Sequence, residues 1–147
     1  MPVDVRAVPA AVTFPLRQRV LRPHETLEQL VLPGDDDPES GHFAAYAGDE
    51  VIGTASVRRE PPPWAPAAEP AWRLRGMATA EPMRSSGVGT AVLAAVVDHV
   101  QSNGGGLLWC NARLPAVPFY ERNGFTTRGE SWVDPVIGPH VAMERTV

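Results

Sequence analysis

Residues 71–102 join a two-faced strand pattern, a short loop with two glycines and an amphipathic helix pattern. In the strand pattern, apolar or small residues alternate with longer or polar ones, namely Trp72, Leu74, Gly76 and Ala78 with Arg73, Arg75, Met77 and Thr79. In the helix pattern, one face carries Val88, Val92, Ala95, Val96, His99 and Val100. Alternation indicates a strand and the longer spacing a helix, so this segment predicts a strand, a turn and a helix in succession.

The remaining segments predict one mixed α/β domain over residues 1–147. Further strands are expected at 3–8, 43–46, 51–57, 107–110, 125–133 and 140–146. Two of them flank Gly48-Asp49, which is typical of an antiparallel hairpin. Further helices are expected at 13–22, beginning near Pro15, and at 115–122. The proline-rich stretch 60–70 is unsuited to helix or central strand and predicts an exposed loop.

Composition excludes several classes of protein. The chain has 147 residues, a net charge of −4 and a single cysteine, Cys110, so no internal disulfide can form. No apolar run approaches the roughly 20 residues that cross a bilayer, and no secretory signal pattern opens the chain. An acidic balance argues against a nucleic-acid partner. We therefore expect a cytoplasmic protein without a membrane or nucleic-acid partner, and we interpret the acidic run 35–37 as solvated rather than as a metal site.

The glycine-containing loop is the segment most suggestive of ligand binding. It reads Arg84-x-x-Gly87-x-Gly89 immediately before a helix. Glycines there let successive backbone N–H groups and the positive end of the helix dipole face an anion such as a pyrophosphate. The alternative is a tight turn that only packs the helix on the strand. The chain contains no lysine, which excludes a P-loop, and it lacks the third glycine of the dinucleotide fingerprint.

These residues resemble the signature of the GNAT-type N-acetyltransferases, Arg/Gln-x-x-Gly-x-Gly/Ala after a strand. The second half of the chain strengthens the resemblance, with Leu107 to Arg113 as a strand and Phe119-Tyr120-Glu121-Arg122-Asn123-Gly124-Phe125 as the segment that follows it. The chain is similar to small bacterial members of unassigned substrate. The resemblance implies a mixed, mostly antiparallel sheet of six to seven strands, flanked by helices, with a cofactor cleft between two central strands.

The same resemblance implies acetyl-CoA as the acyl donor and an amine of a small molecule or peptide as the acceptor. Backbone N–H groups from Ser85 to Thr90 would hold the pyrophosphate, and the backbone around Met77 and Thr79 would pair with the pantetheine amides. The expected cofactor-binding residues are Met77, Ala78, Thr79, Arg84, Ser85, Ser86, Gly87, Val88, Gly89, Thr90, Asn111 and Phe119. Family members often carry glycine where this chain has Ser85. For Asn111, the alternative is a turn-capping role.

By resemblance, Tyr120 stands where the family places its general acid, and no metal is expected. A phenol suits protonation of a thiolate leaving group. The alternative places Tyr120 beside Phe119 as an ordinary core aromatic. Candidates for the base are His140, Glu130, His42 and Glu25, or the amine loses its proton to water. A non-catalytic module that binds acyl-CoA as a sensor or assembly part is the competing function, and a homodimer is conceivable.

Several other side chains have both a structural and a functional interpretation. Cys110 is interpreted as a small buried hydrophobe and His99 as a packed histidine. Arginines 17, 19 and 22 are interpreted as a solvated helix face in preference to a site for an acidic acceptor. Trp64 and Trp132 are candidates for the pocket wall.

Overall fold

A mixed sheet forms the centre of the molecule. The computed structural model describes residues 3–84 and 86–147. Within them, the strands are β1 (Asp4–Ala7), β2 (Gly41–Ala47), β3 (Glu50–Arg59), β4 (Ala71–Thr79), β5 (Leu107–Arg113), β6 (Thr126–Asp134) and β7 (Gly138–Thr146). Their order in the sheet is β1-β2-β3-β4-β5-β7-β6, and β4 with β5 is its parallel pair. The expected mixed, mostly antiparallel sheet and the hairpin at Gly48-Asp49 are confirmed.

Helices cover the sheet. They are α1 (Ala10–Leu21), α2 (Val88–Ser102) and α3 (Val117–Arg122), and short 3₁₀ turns occur at Glu28–Leu30, Glu81–Met83 and Leu114–Ala116. The expected helix at 115–122 is therefore a 3₁₀ turn followed by a shorter α-helix. No helix in the described part of the chain is both long and apolar enough to span a bilayer.

Helix α2 buries one face against β2, β3 and β4. The buried side chains are Val88, Val92, Leu93, Val96 and Val100. His99 lies at the edge of this face, where its Nε2 is 2.8 Å from the Glu39 carbonyl oxygen and its ring meets Phe43 and Trp72 edge-on. The interpretation of His99 as a packed histidine is confirmed. The helix ends at Ser102, with Asn103 as its C-cap, before the expected glycine run.

Helix α1 begins earlier than its sequence suggests. The expected start near Pro15 is wrong, because the helix begins at Ala10, directly after Pro9. Pro15 lies inside the helix and cannot donate a backbone hydrogen bond to the Ala11 carbonyl oxygen. Its side chain is exposed, whereas Leu16 and Arg17 are buried. Packing of the following turn therefore maintains a helix that proline alone would have interrupted.

The proline-rich segment between β3 and β4 forms neither helix nor strand, as expected, but only five of its eleven residues are exposed, because part of it packs on the sheet. Pro62 is buried. The Trp64 ring meets the Trp109 ring edge-on at 5.5 Å between centroids, and its Nε1 donates to Glu144 at 3.1 Å. Trp64 therefore packs against β5 and forms a hydrogen bond with β7. It is not among the residues that line the cleft described below, so its expected place in the pocket wall is wrong.

Candidate active site

A cleft opens where the two parallel strands separate. Strands β4 and β5 pair only from Ala71 with Leu107 to Arg73 with Trp109. Beyond that point β4 continues to Thr79 beside β3, whereas β5 continues to Arg113 beside β7. The resulting cleft has a volume of about 440 Å³, and α1, β4, β5, α3 and the β6–β7 hairpin line it. Divergence of the strands leaves this edge of β4 open to a ligand.

A bulge in β4 contributes to the divergence. The register against β3 shifts between Thr54 and Ser56, opposite Gly76. Gly76 has φ of +61°, and its carbonyl oxygen accepts a hydrogen bond from Thr54 Oγ1 at 3.1 Å. A Cβ on Gly76 would lie 2.7 Å from Arg17 Nε. Both the left-handed conformation and the close approach of α1 therefore require glycine here.

Tyr120 of α3 reaches this cleft from the core. The residue is buried, and its ring packs edge-on between Phe119 and Phe125, with centroid distances of 5.2 and 5.3 Å. Burial raises the pKa of the phenol well above its ordinary value, and the neighbouring Cys110 raises it further. The hydroxyl is therefore protonated at neutral pH, and Tyr120 is among the residues that line the cleft.

Cys110 of β5 lies beside Tyr120. It is 2% exposed, and burial raises the pKa of its thiol to about 12. A thiol with this pKa is almost entirely protonated at neutral pH and is a poor nucleophile. The interpretation of Cys110 as a buried hydrophobe is confirmed, and its additional role is to contact the phenol.

The glycine-containing loop precedes α2 as expected. Gly87 caps the helix with φ of +87°, and a Cβ there would meet open space, so the conformation alone favours glycine. Within the described part of the chain, no oxygen accepts a hydrogen bond from the N–H groups of Gly87, Val88 and Thr90. Ser85 lies outside the described residues. The N–H groups of Gly87, Val88 and Thr90 lie at the positive end of α2.

Gly89 has a different role from Gly87. A Cβ on Gly89 would lie 3.1 Å from the Phe119 ring and 3.5 Å from Thr79 Oγ1. The close packing of α2 on α3 and the end of β4 therefore depends on this glycine. It also brings together three of the expected cofactor-binding residues from distant parts of the sequence.

The expected site residues fall into three groups. Met77, Asn111 and Tyr120 line the cleft. The side chains of Ala78 and Val88 are buried in the core, so only their backbone groups can meet a ligand. Thr79, Arg84, Ser86, Gly87, Gly89, Thr90 and Phe119 lie at the end of β4, around the start of α2 and on α3, outside the cleft wall.

The four candidates for the base are separated by the fold. His140 and Glu25 line the cleft, whereas Glu130 is exposed on β6 outside it. His42 is buried, with Nδ1 2.7 Å from Ser56 Oγ and Nε2 2.9 Å from the Asp35 carbonyl oxygen. Both of its ring nitrogens are engaged, which leaves neither free for a substrate.

His140 has one engaged and one free nitrogen. Its Nδ1 is 2.8 Å from the Gly138 carbonyl oxygen, which can only accept, so Nδ1 carries the hydrogen. Its ring stacks on Trp132, with centroids 5.8 Å apart and planes inclined by 19°. In the neutral ring, Nε2 therefore holds a lone pair. No partner for this nitrogen occurs among the described residues. Trp132 also lines the cleft, as expected.

Arginines dominate the charged lining of the cleft. They are Arg17, Arg22, Arg73, Arg75 and Arg113. The expectation of a solvated helix face is wrong for Arg17, which is 3% exposed and donates to the Leu30 carbonyl oxygen at 3.0 Å and to Ser56 Oγ at 2.8 Å. It holds for Arg19, which is exposed. The expectation that the acidic run 35–37 is solvated is wrong for Asp35, whose side chain is 7% exposed and pairs with Arg17. The strand alternation indicates a polar face with Arg73 and Arg75, and both residues lie in the cleft wall.

Comparison with known proteins agrees with this geometry. The model of the "Acetyltransferase (GNAT) family" matches residues 12–125. An uncharacterized N-acetyltransferase of Bacillus subtilis, YitI, is 31% identical over 145 residues, which cover 99% of this chain and 97% of that protein.

Two solved structures share the fold at lower identity. A GCN5-related N-acetyltransferase from Kribbella flavida has a TM-score of 0.75 at 19% identity, covering 99% of this chain and 98% of that chain. An aminoglycoside 6'-N-acetyltransferase complexed with coenzyme A has a TM-score of 0.69 at 15% identity, covering 97% and 96%. The family match and the Bacillus relative show that this chain belongs to the GNAT family of acetyltransferases.

Proposed function

We propose that this protein transfers an acetyl group from acetyl-CoA to the amine of a small molecule or peptide. Acetyl-CoA-dependent transfer is general in the GNAT family, which supports the class of reaction. The observation that carries the proposal for this chain is the Tyr120 phenol, which lines the cleft formed where β4 and β5 separate. A donor thioester and an acceptor amine that share this cleft would both be within reach of one proton donor.

The donor is assigned to the open edge of β4 and the start of α2. The N–H groups of Gly87, Val88 and Thr90 at the start of α2 suit the pyrophosphate of acetyl-CoA, and the Arg84 side chain adds a positive charge to the same loop. Backbone groups of Met77 and Thr79 would pair with the pantetheine arm as a further strand would. Asn111 lies on the opposite, β5 side of the cleft and is assigned a contact with the same arm.

The reaction needs no covalent enzyme intermediate. The amine nitrogen attacks the thioester carbonyl carbon, a C–N bond forms, and the C–S bond breaks. The thiolate of CoA takes the proton of the Tyr120 hydroxyl, the amine gives up one proton, and the phenolate regains a proton from solvent before the next turnover. Tyr120 is assigned as the general acid because its protonated phenol lines the cleft in which the thiolate forms. Cys110 stays a thiol and takes no part in bond making.

We assign the proton from the amine to His140. Of the two base candidates in the cleft, His140 has a ring nitrogen with a free lone pair and an orientation fixed by Gly138 and Trp132. Replacement by glutamine, which cannot act as a base, should lower kcat/KM and change the shape of its pH profile, because an imidazole accepts a proton only in its neutral form. If the pH profile of the His140→Gln variant parallels that of the wild type, Glu25 or water takes this proton instead.

The test of the proposal is release of free CoA in the presence of a panel of amines. The Tyr120→Phe variant keeps the ring and loses the proton, so turnover should fall at least about tenfold while acetyl-CoA affinity changes little. The matched control is Tyr46→Phe, which removes the hydroxyl of the other tyrosine, on β2. If wild type and Tyr120→Phe release CoA equally, Tyr120 is not the acid. If neither releases CoA above background while both bind acetyl-CoA, the protein is a non-catalytic acyl-CoA module.

A further inference from the structure

We propose that the acceptor amine also carries a carboxylate, and that Arg75 binds this carboxylate in the cleft. The inference rests on the proposed acetyl transfer and names its substrate class. Arg75 projects from β4 and lines the same cleft as Tyr120 and His140. A single substrate could therefore meet the guanidinium at one end and the reacting groups at the other.

Arginines outnumber carboxylates around Arg75. Glu60 is shared, because one carboxylate oxygen pairs with Arg58 and the other accepts from Arg73 Nη1 at 3.0 Å. Asp35 is similarly engaged, with its Oδ2 3.7 Å from Arg17 Nη1. Together Arg17, Arg58, Arg73 and Arg75 bring four positive charges to a region in which two carboxylates form ion pairs. The surplus charge favours an anionic ligand.

Arg75 is the member of this group without a partner. Among the described residues, none forms a hydrogen bond or an ion pair with its guanidinium. The side chain is half-buried, and burial together with repulsion by Arg73 lowers its pKa to about 10. The group therefore stays charged at neutral pH, although its surroundings oppose the charge. A ligand carboxylate would pair with the buried charge of Arg75 and offset its repulsion by Arg73. A guanidinium and a carboxylate can form two parallel hydrogen bonds.

The cleft also offers a place for the positive end of such a substrate. Glu25 and Asp134 line it along with His140. Asp134 Oδ1 accepts from the backbone N–H groups of Val136 at 2.8 Å and Ile137 at 3.1 Å, and these bonds lower the pKa of the carboxyl. Asp134 is thus ionised at neutral pH and attracts an ammonium group. An unpaired cation and an ionised carboxylate in one cleft are complementary to a zwitterionic amino acid or to a peptide with a free terminus.

The test compares amines that differ only in their acidic group. Purified protein is assayed for CoA release with L-amino acids and with their methyl esters, which retain the amine and lose the negative charge. A second pair, β-alanine and O-phosphoethanolamine, compares a carboxylate with a phosphate. Wild type should favour the acid over its ester by at least about tenfold in kcat/KM, as expected for a charge-assisted contact. It should also favour β-alanine over O-phosphoethanolamine.

Two arginine variants test whether Arg75 causes the preference for acid over ester. Arg75→Gln should remove most of the preference for acid over ester, mainly through KM, and leave acetyl-CoA binding in calorimetry unchanged. The matched control is Arg19→Gln, which removes the same charge from an exposed position outside the cleft and should behave as wild type. Thermal melting verifies that Arg75→Gln is folded; we expect no loss of stability, because the substitution removes a charge without a partner.

The outcomes separate this inference from the proposed function. Equal activity on acids and esters, a preference for O-phosphoethanolamine, or an unchanged preference in Arg75→Gln would each overturn the role of Arg75 as a carboxylate site while acetyl transfer stands. The same follows if wild type binds acetyl-CoA but acetylates none of the acids. A wild type that fails to bind acetyl-CoA would overturn the proposed function, and this inference with it.

Discussion

The pair formed by Tyr120 and Cys110 illustrates how burial sets the chemistry of single residues. Both groups titrate above neutral pH, and burial raises the pKa of each further. The raised pKa has different consequences for the two residues. A protonated phenol remains a usable acid, whereas a protonated thiol loses its nucleophilicity. The same burial therefore leaves Tyr120 with a proton to donate and makes its cysteine neighbour inert.

We predict slow alkylation of Cys110. With a thiol pKa of about 12, the thiolate fraction at pH 8 is on the order of one in ten thousand, and the sulfur is also buried. Iodoacetamide should therefore label native protein far more slowly than urea-unfolded protein, and the native rate should rise with pH up to at least about pH 10. Mass spectrometry measures the labelled fraction. Labelling of native protein that is complete within minutes at pH 7 would contradict this environment.

The sequence patterns located the motif residues, but they did not predict which groups surround each side chain. The motif around Gly87 and the aromatic segment around Tyr120 were sufficient to assign the family. Arg17 and Arg75 were placed on a helix and a strand, but their partners come from segments distant in sequence. Arg17 meets Leu30 and Ser56, and the charge near Arg75 depends on Glu60. Local periodicity carries no information about such contacts, which explains why a buried arginine was expected in solvent.

At the scale of elements, α1 is fixed to the sheet through a polar network as well as through apolar packing. Arg17 bonds Leu30 in the segment after α1 and Ser56 on β3, and Ser56 in turn contacts His42 on β2. Its guanidinium also lies against Gly76 of β4. Arg17 thus links α1 directly to β3, to β4 and to the segment after α1, which lines the cleft. It reaches β2 through Ser56. The early start of α1, despite Pro15, is consistent with this anchoring.

We expect Arg17→Met to destabilise the fold by about 3 kcal/mol, because it leaves the buried Asp35 carboxylate and Ser56 without their cationic partner. Urea unfolding followed by circular dichroism gives the change in free energy of unfolding. Arg19→Met removes an exposed arginine from the same helix and should change stability by less than about 0.5 kcal/mol. If the two substitutions lower the free energy of unfolding equally, the contacts of Arg17 with Asp35 and Ser56 contribute nothing to stability.

The sheet was the most predictable element of the fold, and the cleft the least. Alternating residues at 71–79 and the turn at Gly48-Asp49 are local signals, and the strands formed where these signals placed them. The separation of β4 from β5 is not a local property. It depends on the Gly76 bulge, on the approach of Arg17 and on the pairing of β5 with β7. Only the resemblance to a family implied a cleft at this place.

For the whole molecule, the distribution of charge matters more than its sum. The chain carries a net charge of −4, yet arginines dominate the charged lining of the cleft. The overall charge repels an anionic substrate at long range, so attraction must come from within the cleft. Salt screens such attraction, since the Debye length falls from about 10 Å at 0.1 M to about 3 Å at 1 M.

We therefore expect the KM for an amino acid acceptor to rise several-fold between about 0.1 M and 1 M salt, while the KM for its methyl ester changes little. Steady-state kinetics at saturating acetyl-CoA measures both. Because the ester shares the amine and the side chain, it controls for effects of salt on folding and on the donor site. Parallel salt dependence of the two acceptors would contradict a cationic acceptor cleft.

The most direct measurement for the central claim is calorimetric titration of the protein with acetyl-CoA, repeated on Gly87→Glu. The substitution places a carboxylate at the turn assigned to the pyrophosphate, where a side chain meets open space. Gly48→Glu is the matched control, because it adds the same charge at another exposed glycine with positive φ. We predict micromolar binding by wild type and Gly48→Glu and its loss in Gly87→Glu. Absence of binding by wild type, or equal binding by all three proteins, would contradict the donor site from which the acetyl transfer was derived.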